Sequence, residues 1–94
     1  MYTCEVDISW DPRKAGLNLR KHGVAFEEAE GALYDPQAIV REDPDAKGEQ
    51  RFVLVGTDVS GRVLTVVYAF GEPDGIRLIS ARRATAHERG QYAR

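Results

Sequence analysis

The sequence predicts an α+β fold: a twisted antiparallel β-sheet with helices packed mainly on one face. Three observations carry that expectation. Three apolar strand patterns follow one another between Arg51 and Arg83, two helical patterns precede them, and a third helical pattern closes the chain. Strands joined by short turns pair antiparallel, and amphipathic helices cover the apolar face that such a sheet presents. With 94 residues, 43% apolar and 30% charged, the composition is globular rather than disordered, and one domain spanning residues 1–94 is expected.

Val6, Ile8 and Trp10 alternate with Glu5, Asp7 and Ser9, the period-two pattern of a half-buried first strand. Asp11 then stands as an N-cap with Pro12 at the first helical position, where the missing N–H costs nothing. A helix is expected from Pro12 to His22, with Gly23 as the left-handed residue that ends it. Phe26, Ala29 and Leu33 form one stripe against glutamates, which predicts a second helix over Phe26 to Leu33, stopped by Pro36. A short strand is expected at Ala38 to Arg41, then an acidic loop through Pro44 and Gly48. "RFVLVGTDV" and "RVLTVVYAF" read as strands joined by a two-residue turn at Ser60-Gly61, and "GEPDG" leads into the strand "IRLISAR". The middle strand is apolar on both faces and is expected at the centre of the sheet. Thr85 and Glu88 make a capping box, predicting a last helix to about Ala93. Trp10 and Tyr68 are expected in the core rather than on a base-stacking surface.

The net charge of −2 hides an uneven distribution. Between Val24 and Gln50 eight acidic residues face two basic ones, whereas from Arg77 to Arg94 five arginines face a single acid, Glu88. Local potential, not the total, attracts an anionic ligand. No apolar run approaches the roughly 20 residues of a membrane span, and "MYTCEVDISW" has neither the basic nor the apolar region of a signal peptide, so no membrane association and a cytoplasmic location are expected. Cys4, the one cysteine, cannot form an internal disulfide and reads as a small apolar residue near the first strand. No Cys/His spacing points to a metal, and no phosphate-loop or dinucleotide motif points to a cofactor; none of either is expected.

The arginines therefore pose the functional question. In a regular strand Ile76, Leu78, Ser80 and Arg82 share one face, and Arg77, Ile79, Ala81 and Arg83 the other. Arg77 and Arg83 would stand roughly 20 Å apart along such a strand, so a common phosphate requires a bend at the strand-helix junction. Guanidinium groups grip phosphate and stabilise charge in phosphoryl transfer; equally, Arg82, Arg83 and Arg89 suit a solvated helix flank. Lys21 and His22 suit the negative end of a helix dipole, and His22 is also an acid or base near neutral pH. Glu49 is either a carboxylate base or a solvated loop residue, with Arg51 beside it.

"WDPRKAGLNLRKHGVAFEEAEGALYDP" resembles the opening of the BrnT family of toxins, which reads much like W-D-x-x-K-x-x-x-N-x-x-K-H-G-V-x-F-E-E-A followed by a D-P turn. "GEQRFVLVG", "GRVLTVVYAF" and "IRLISARRATAHERGQY" are similar to the remainder of that pattern. The resemblance implies a RelE-like fold and a ribonuclease toxin of a type II toxin-antitoxin system. It implies inhibition of translation by metal-independent RNA cleavage and neutralisation by a small antitoxin with a ribbon-helix-helix DNA-binding region. Operator DNA is then contacted only through the antitoxin. By position, it implies Arg77 and Arg83 as phosphate and transition-state contacts, with Arg82 as the alternative. Glu49 is implied as the base for 2′-hydroxyl attack and His22 as a proton shuttle, with Lys21, Arg51 and Arg89 on RNA. The competing reading is a non-catalytic module whose arginines dock the antitoxin.

Overall fold

The structure is a computed structural model and describes residues 7–46, 48–71 and 75–93. The readings of Cys4, of Val6 and of the turn through Glu72, Pro73 and Asp74 lie outside these residues. The elements run β1 (Asp7–Ser9), α1 (Pro12–His22), α2 (Phe26–Leu33), β2 (Ile39–Glu42), β3 (Phe52–Thr57), β4 (Val63–Gly71), β5 (Gly75–Arg83) and α3 (Ala86–Tyr92).

Local chemistry sets the helix ends. The Asp11 side chain accepts from the Arg13 N–H, Pro12 opens α1, and Gly23 ends it at φ 71°, its N–H bonding the Leu19 carbonyl. Glu28 reaches back to accept the Ala25 N–H at 3.0 Å, which starts α2 without a capping side chain at Ala25. The Thr85–Glu88 capping box starts α3, each side chain accepting the other's backbone N–H. Among the described residues no helix is long and apolar enough to cross a membrane.

The five strands form one sheet in the order β1-β5-β4-β3-β2, so the doubly apolar β4 lies at its centre. β2, β3, β4 and β5 pair antiparallel, as expected, whereas β1 joins β5 in parallel, with Ile8 opposite Ile76. Alternating hydrophobicity specifies which side of a strand is buried but is silent on direction. Here β1 is the first element and β5 the last strand, so no hairpin forces them antiparallel. The β3–β4 turn also differs from the two-residue expectation. Asp58 and Arg62 close a three-residue loop, Val59 to Gly61, with Gly61 at φ 91°. Asp58 takes over the turn: one carboxylate oxygen accepts from the Ser60 N–H, the Ser60 hydroxyl and the Arg62 N–H, and the other from Arg62 Nε. Burial raises the Asp58 pKa, but these bonds outweigh it and leave the carboxyl below its usual range.

The core lies between the sheet and the first two helices, where Val24, Phe26, Ala29 and Ala32 meet Leu54, Leu64, Val66, Tyr68, Leu78 and Ala81. Trp10 packs edge-on to Phe26 with ring centroids 5.8 Å apart, and Tyr68 is buried beside Phe52. Tyr68 is thus a core residue and Trp10, half-buried, packs against the core rather than standing on a base-stacking surface. α3 lies on the opposite face, attached by polar contacts and with no buried residue of its own. That face is only partly covered, and the arginines of β5 are to be placed on it.

Candidate active surface on the open sheet face

Residues directly opposite in an antiparallel pair share a face. On β5, Arg77 stands opposite Ala69, but the register then shifts: Tyr68 faces Leu78 while Val67 faces Ser80, leaving Ile79 as an extra residue. This bulge inverts the alternation. Beyond it Ser80 and Arg82, opposite Val67 and Thr65, share the open face with Arg77, whereas Ala81 and Arg83, opposite Val66 and Leu64, turn to the helix side. The expected pairing of Arg77 with Arg83 on one face is therefore corrected to Arg77 with Arg82. A bulge leaves no mark on hydrophobic alternation when the extra residue, here isoleucine, suits either face.

The two open-face arginines have different surroundings. Arg77 Nη2 lies 2.5 Å from Glu49 Oε2, in a pair whose side chains remain 37% and 44% exposed. The other Glu49 oxygen is 3.8 Å from Arg51 Nε, a buried nitrogen with no hydrogen-bond partner. Register explains the gathering: Phe52 faces Tyr68, so the preceding Arg51 comes level with Ala69 and hence with Arg77. A small alanine separates the two arginines, and Glu49 bridges above it. Arg41, paired with Val53 at the β2 edge, brings a third guanidinium to this face. Asp43, whose N–H bonds the Arg51 carbonyl, comes level with Arg51 in turn, and Arg41 lines the groove that α3 borders, so the guanidiniums of this face stand among carboxylates.

Arg82, by contrast, is gripped at both ends of its fork. Its Nη1 and Nη2 donate to the two Glu88 oxygens at 2.7 and 3.0 Å, and Nη1 also reaches the Arg83 carbonyl at 3.3 Å. Glu88 Oε1 accepts further bonds from the Thr85 N–H and the Thr65 hydroxyl. The Arg82 bonds lead in holding the Glu88 pKa down at about 2; burial opposes them, and the Thr85 and Thr65 bonds assist. This pair fastens α3 to β4 and β5. Arg89 is similarly engaged, donating to the Ala84 carbonyl at 2.9 Å.

At the far end of α3, the Tyr92 hydroxyl donates to Asp35 and accepts from Thr57 Oγ1 at 2.8 Å. The Tyr92 bond, followed by N–H donors from Thr57 and Gln37, keeps Asp35 below its usual range. Between α3 and β2 the sheet carries a groove of about 640 Å³, lined by Ile39, Val53, Val55, His87 and Gln91 among others. His22 and Lys21 lie elsewhere, in a shallow groove beside the outer edge of β5 that also includes Ser80. The structure thus brings together Arg77, Glu49 and Arg51. Arg82 and Arg89 are tied at the α3 junction, Arg83 is exposed on the helix side, and Lys21 and His22 sit at the sheet edge.

The comparisons with known proteins decide what carries this surface. The family model described as ribonuclease toxin, BrnT, of type II toxin-antitoxin system matches residues 10–88. This chain belongs to the BrnT family. A crystal structure of the Brucella abortus ribonuclease toxin BrnT shares the fold, with a TM-score of 0.63 at 24% identity over 86% of this chain and 99% of that one. No curated protein sequence matches the chain. Membership makes it a ribonuclease toxin and implies an antitoxin partner. The match takes in both arginine-glutamate pairs, whereas Arg89 and Tyr92 fall beyond it.

In this BrnT-family chain, sequence reasoning passed over Asn18, Arg41 and Ser80. Asn18 is buried in α1, where its amide donates to the Val24 and Ala81 carbonyls at 2.9 and 2.8 Å and its oxygen accepts the Ala81 N–H at 3.0 Å. It thereby replaces a neighbouring strand where β1 has ended. A polar residue in line with Ala15 and His22 on the inward side of α1 was the available signal. Arg41 has acidic neighbours in sequence, although its strand pairing turns it to the open face. Among the described residues, no group of three or more His, Cys, Asp and Glu stands together as a metal site.

Proposed function

We propose that this BrnT-family ribonuclease cuts RNA without a metal at the open-face cluster of Arg77, Arg51 and Glu49. The observation that carries the reading is the exposed Arg77–Glu49 pair, flanked by the partly exposed Arg51. Glu49 takes the proton of an RNA 2′-hydroxyl, the 2′-oxygen attacks the adjacent phosphorus, and the bond to the 5′-oxygen breaks. The products are a 2′,3′-cyclic phosphate and a 5′-hydroxyl, the latter receiving its proton from water. Negative charge builds on the non-bridging oxygens during attack. Arg77 meets it with the donors that Glu49 leaves free, and Arg51 with the terminal nitrogens of its 38%-exposed side chain. The guanidinium pair supplies positive charge at the place where a metal ion would otherwise be needed.

The same reading makes residues 1–94 one cytoplasmic toxin domain, neutralised by a small antitoxin whose ribbon-helix-helix region contacts operator DNA. Blocking the open face is the simplest route to neutralisation, since that face carries the cations. Purified protein incubated with RNA in excess EDTA tests the chemistry. Cleavage should persist and leave cyclic phosphate ends. Cleavage that stops in EDTA and returns with added magnesium would overturn the metal-independent reading.

A further inference from the structure

The groove beside β5 is about 220 Å³ and is lined by Lys14, Leu17, Asn18, Lys21, His22, Ile79 and Ser80. Lys14, Leu17 and Lys21 recur at three- and four-residue spacing, so they form a single stripe along α1. Leu17 is 61% exposed, an apolar side chain lying open between two lysines. Helix formation alone asks for none of this, because the buried work of α1 is done by Asn18 on its neighbouring stripe. The lining contains three basic side chains and no carboxylate.

Ser80 belongs to two surfaces. It faces Val67 on the open side of the sheet, with Arg77, and it also borders the groove. The Ile79 bulge produces this double membership: it turns Ser80 to the open face and leaves Ile79 itself against α1. A chain leaving Arg77 over the sheet edge therefore meets Ser80 first and the lysine stripe next.

We propose that this groove holds the nucleotide next to the scissile phosphate, its base against Leu17 and Ile79 and its two flanking phosphates one on Lys14 and one on Lys21. The inference rests on the open-face cleavage reading above. An apolar floor between two cations matches a nucleobase flanked by phosphates, and single-stranded RNA offers bases free to leave the stack.

Binding of a short 2′-O-methyl RNA, which cannot be cleaved, reads the groove independently of chemistry. Replacing both lysines (Lys14→Ala with Lys21→Ala) should weaken binding about 10-fold and lower the slope of log affinity against log salt by about 1.4, or ~0.7 for each phosphate no longer neutralised. Leu17→Ser should weaken it about 3-fold with the slope unchanged, as removal of an apolar surface does. Arg20→Ala, on the same helix but outside the groove, should alter neither. All four side chains are exposed, so folding is not at stake. Unchanged affinity and slope in the lysine variant overturn the proposal, as does a variant that keeps its RNA affinity and loses antitoxin binding, which would mark a protein dock. If cleavage still depends on Arg77 in that case, only the groove assignment fails; if Arg77→Ala cleaves normally, the open-face reading fails first.

Discussion

Two arginine-glutamate pairs share one face of this sheet, and their surroundings divide function from structure. Arg77–Glu49 is a single-point contact between exposed side chains, with the Glu49 side chain 44% open to solvent. Arg82–Glu88 is bidentate, and the Glu88 side chain is only 12% exposed and accepts from Thr65 and Thr85 as well. Surface pairs of the first kind contribute about 0–1 kcal/mol to folding, so the first pair has little structural purpose. The second is a junction: remove one partner, and a half-buried charge is left facing the other's unsatisfied bonds. A guanidinium with donors to spare can take a phosphate, whereas one with both arms occupied serves the helix it holds. The same residue types on the same face thus differ in role because one glutamate sits in a loop and the other is fixed by a capping box.

Substitutions can break or sharpen this contrast. The largest effect is expected for Glu49→Gln, which removes the base while preserving size. RNA cleavage should fall about 100-fold or more, with the melting temperature almost unchanged. Glu88→Gln should do the converse. It is expected to lose about 1–3 kcal/mol of stability, lowering the melting temperature by roughly 5–15 °C, while cleavage measured below the transition stays close to the unsubstituted rate. The smallest difference is in pH dependence. Glu88 has a folded pKa of about 2 against 4.5 for the ordinary side chain. Its contribution to stability is therefore fully present above pH 4.5 and is lost as the pH falls through about 2. Acid titration followed by circular dichroism should show a stability loss across that window that flattens in Glu88→Gln and persists in Glu49→Gln.

How much of this was legible in the sequence depends on the range of the interaction concerned. Local signals were sufficient for α1 and α2, because Asp11, Pro12 and Gly23 act within one turn and the apolar stripe of Phe26 and Ala29 lies within the same helix. The Thr85–Glu88 box was equally local. The direction of β1 and the registers were not legible. The parallel pairing of β1 with β5 joins the two ends of the chain. The Ile79 bulge depends on what β4 presents opposite it, and it moved Arg83 away from Arg77 and set Arg82 beside it. Glu49 and Arg77 are both candidates on sequence grounds, yet their contact spans 28 positions and follows only from the order of β3, β4 and β5. Arg41 was hidden for the opposite reason: its acidic sequence neighbours masked a guanidinium that strand pairing places on the open face. Asn18 was visible as a polar residue in a helix but could be interpreted only once the end of β1 exposed the backbone of β5 at Ala81.

The most direct test of this division compares Arg77→Ala with Arg82→Ala, measuring RNA cleavage in EDTA and thermal unfolding on the same preparations. Arg77→Ala is predicted to lose about 100- to 1,000-fold in cleavage with an unchanged melting temperature, and Arg82→Ala to melt earlier while still cleaving RNA at temperatures where it is folded. An Arg77→Ala protein that cuts RNA at the unsubstituted rate, or an Arg82→Ala protein that keeps its stability and loses cleavage instead, would contradict the account.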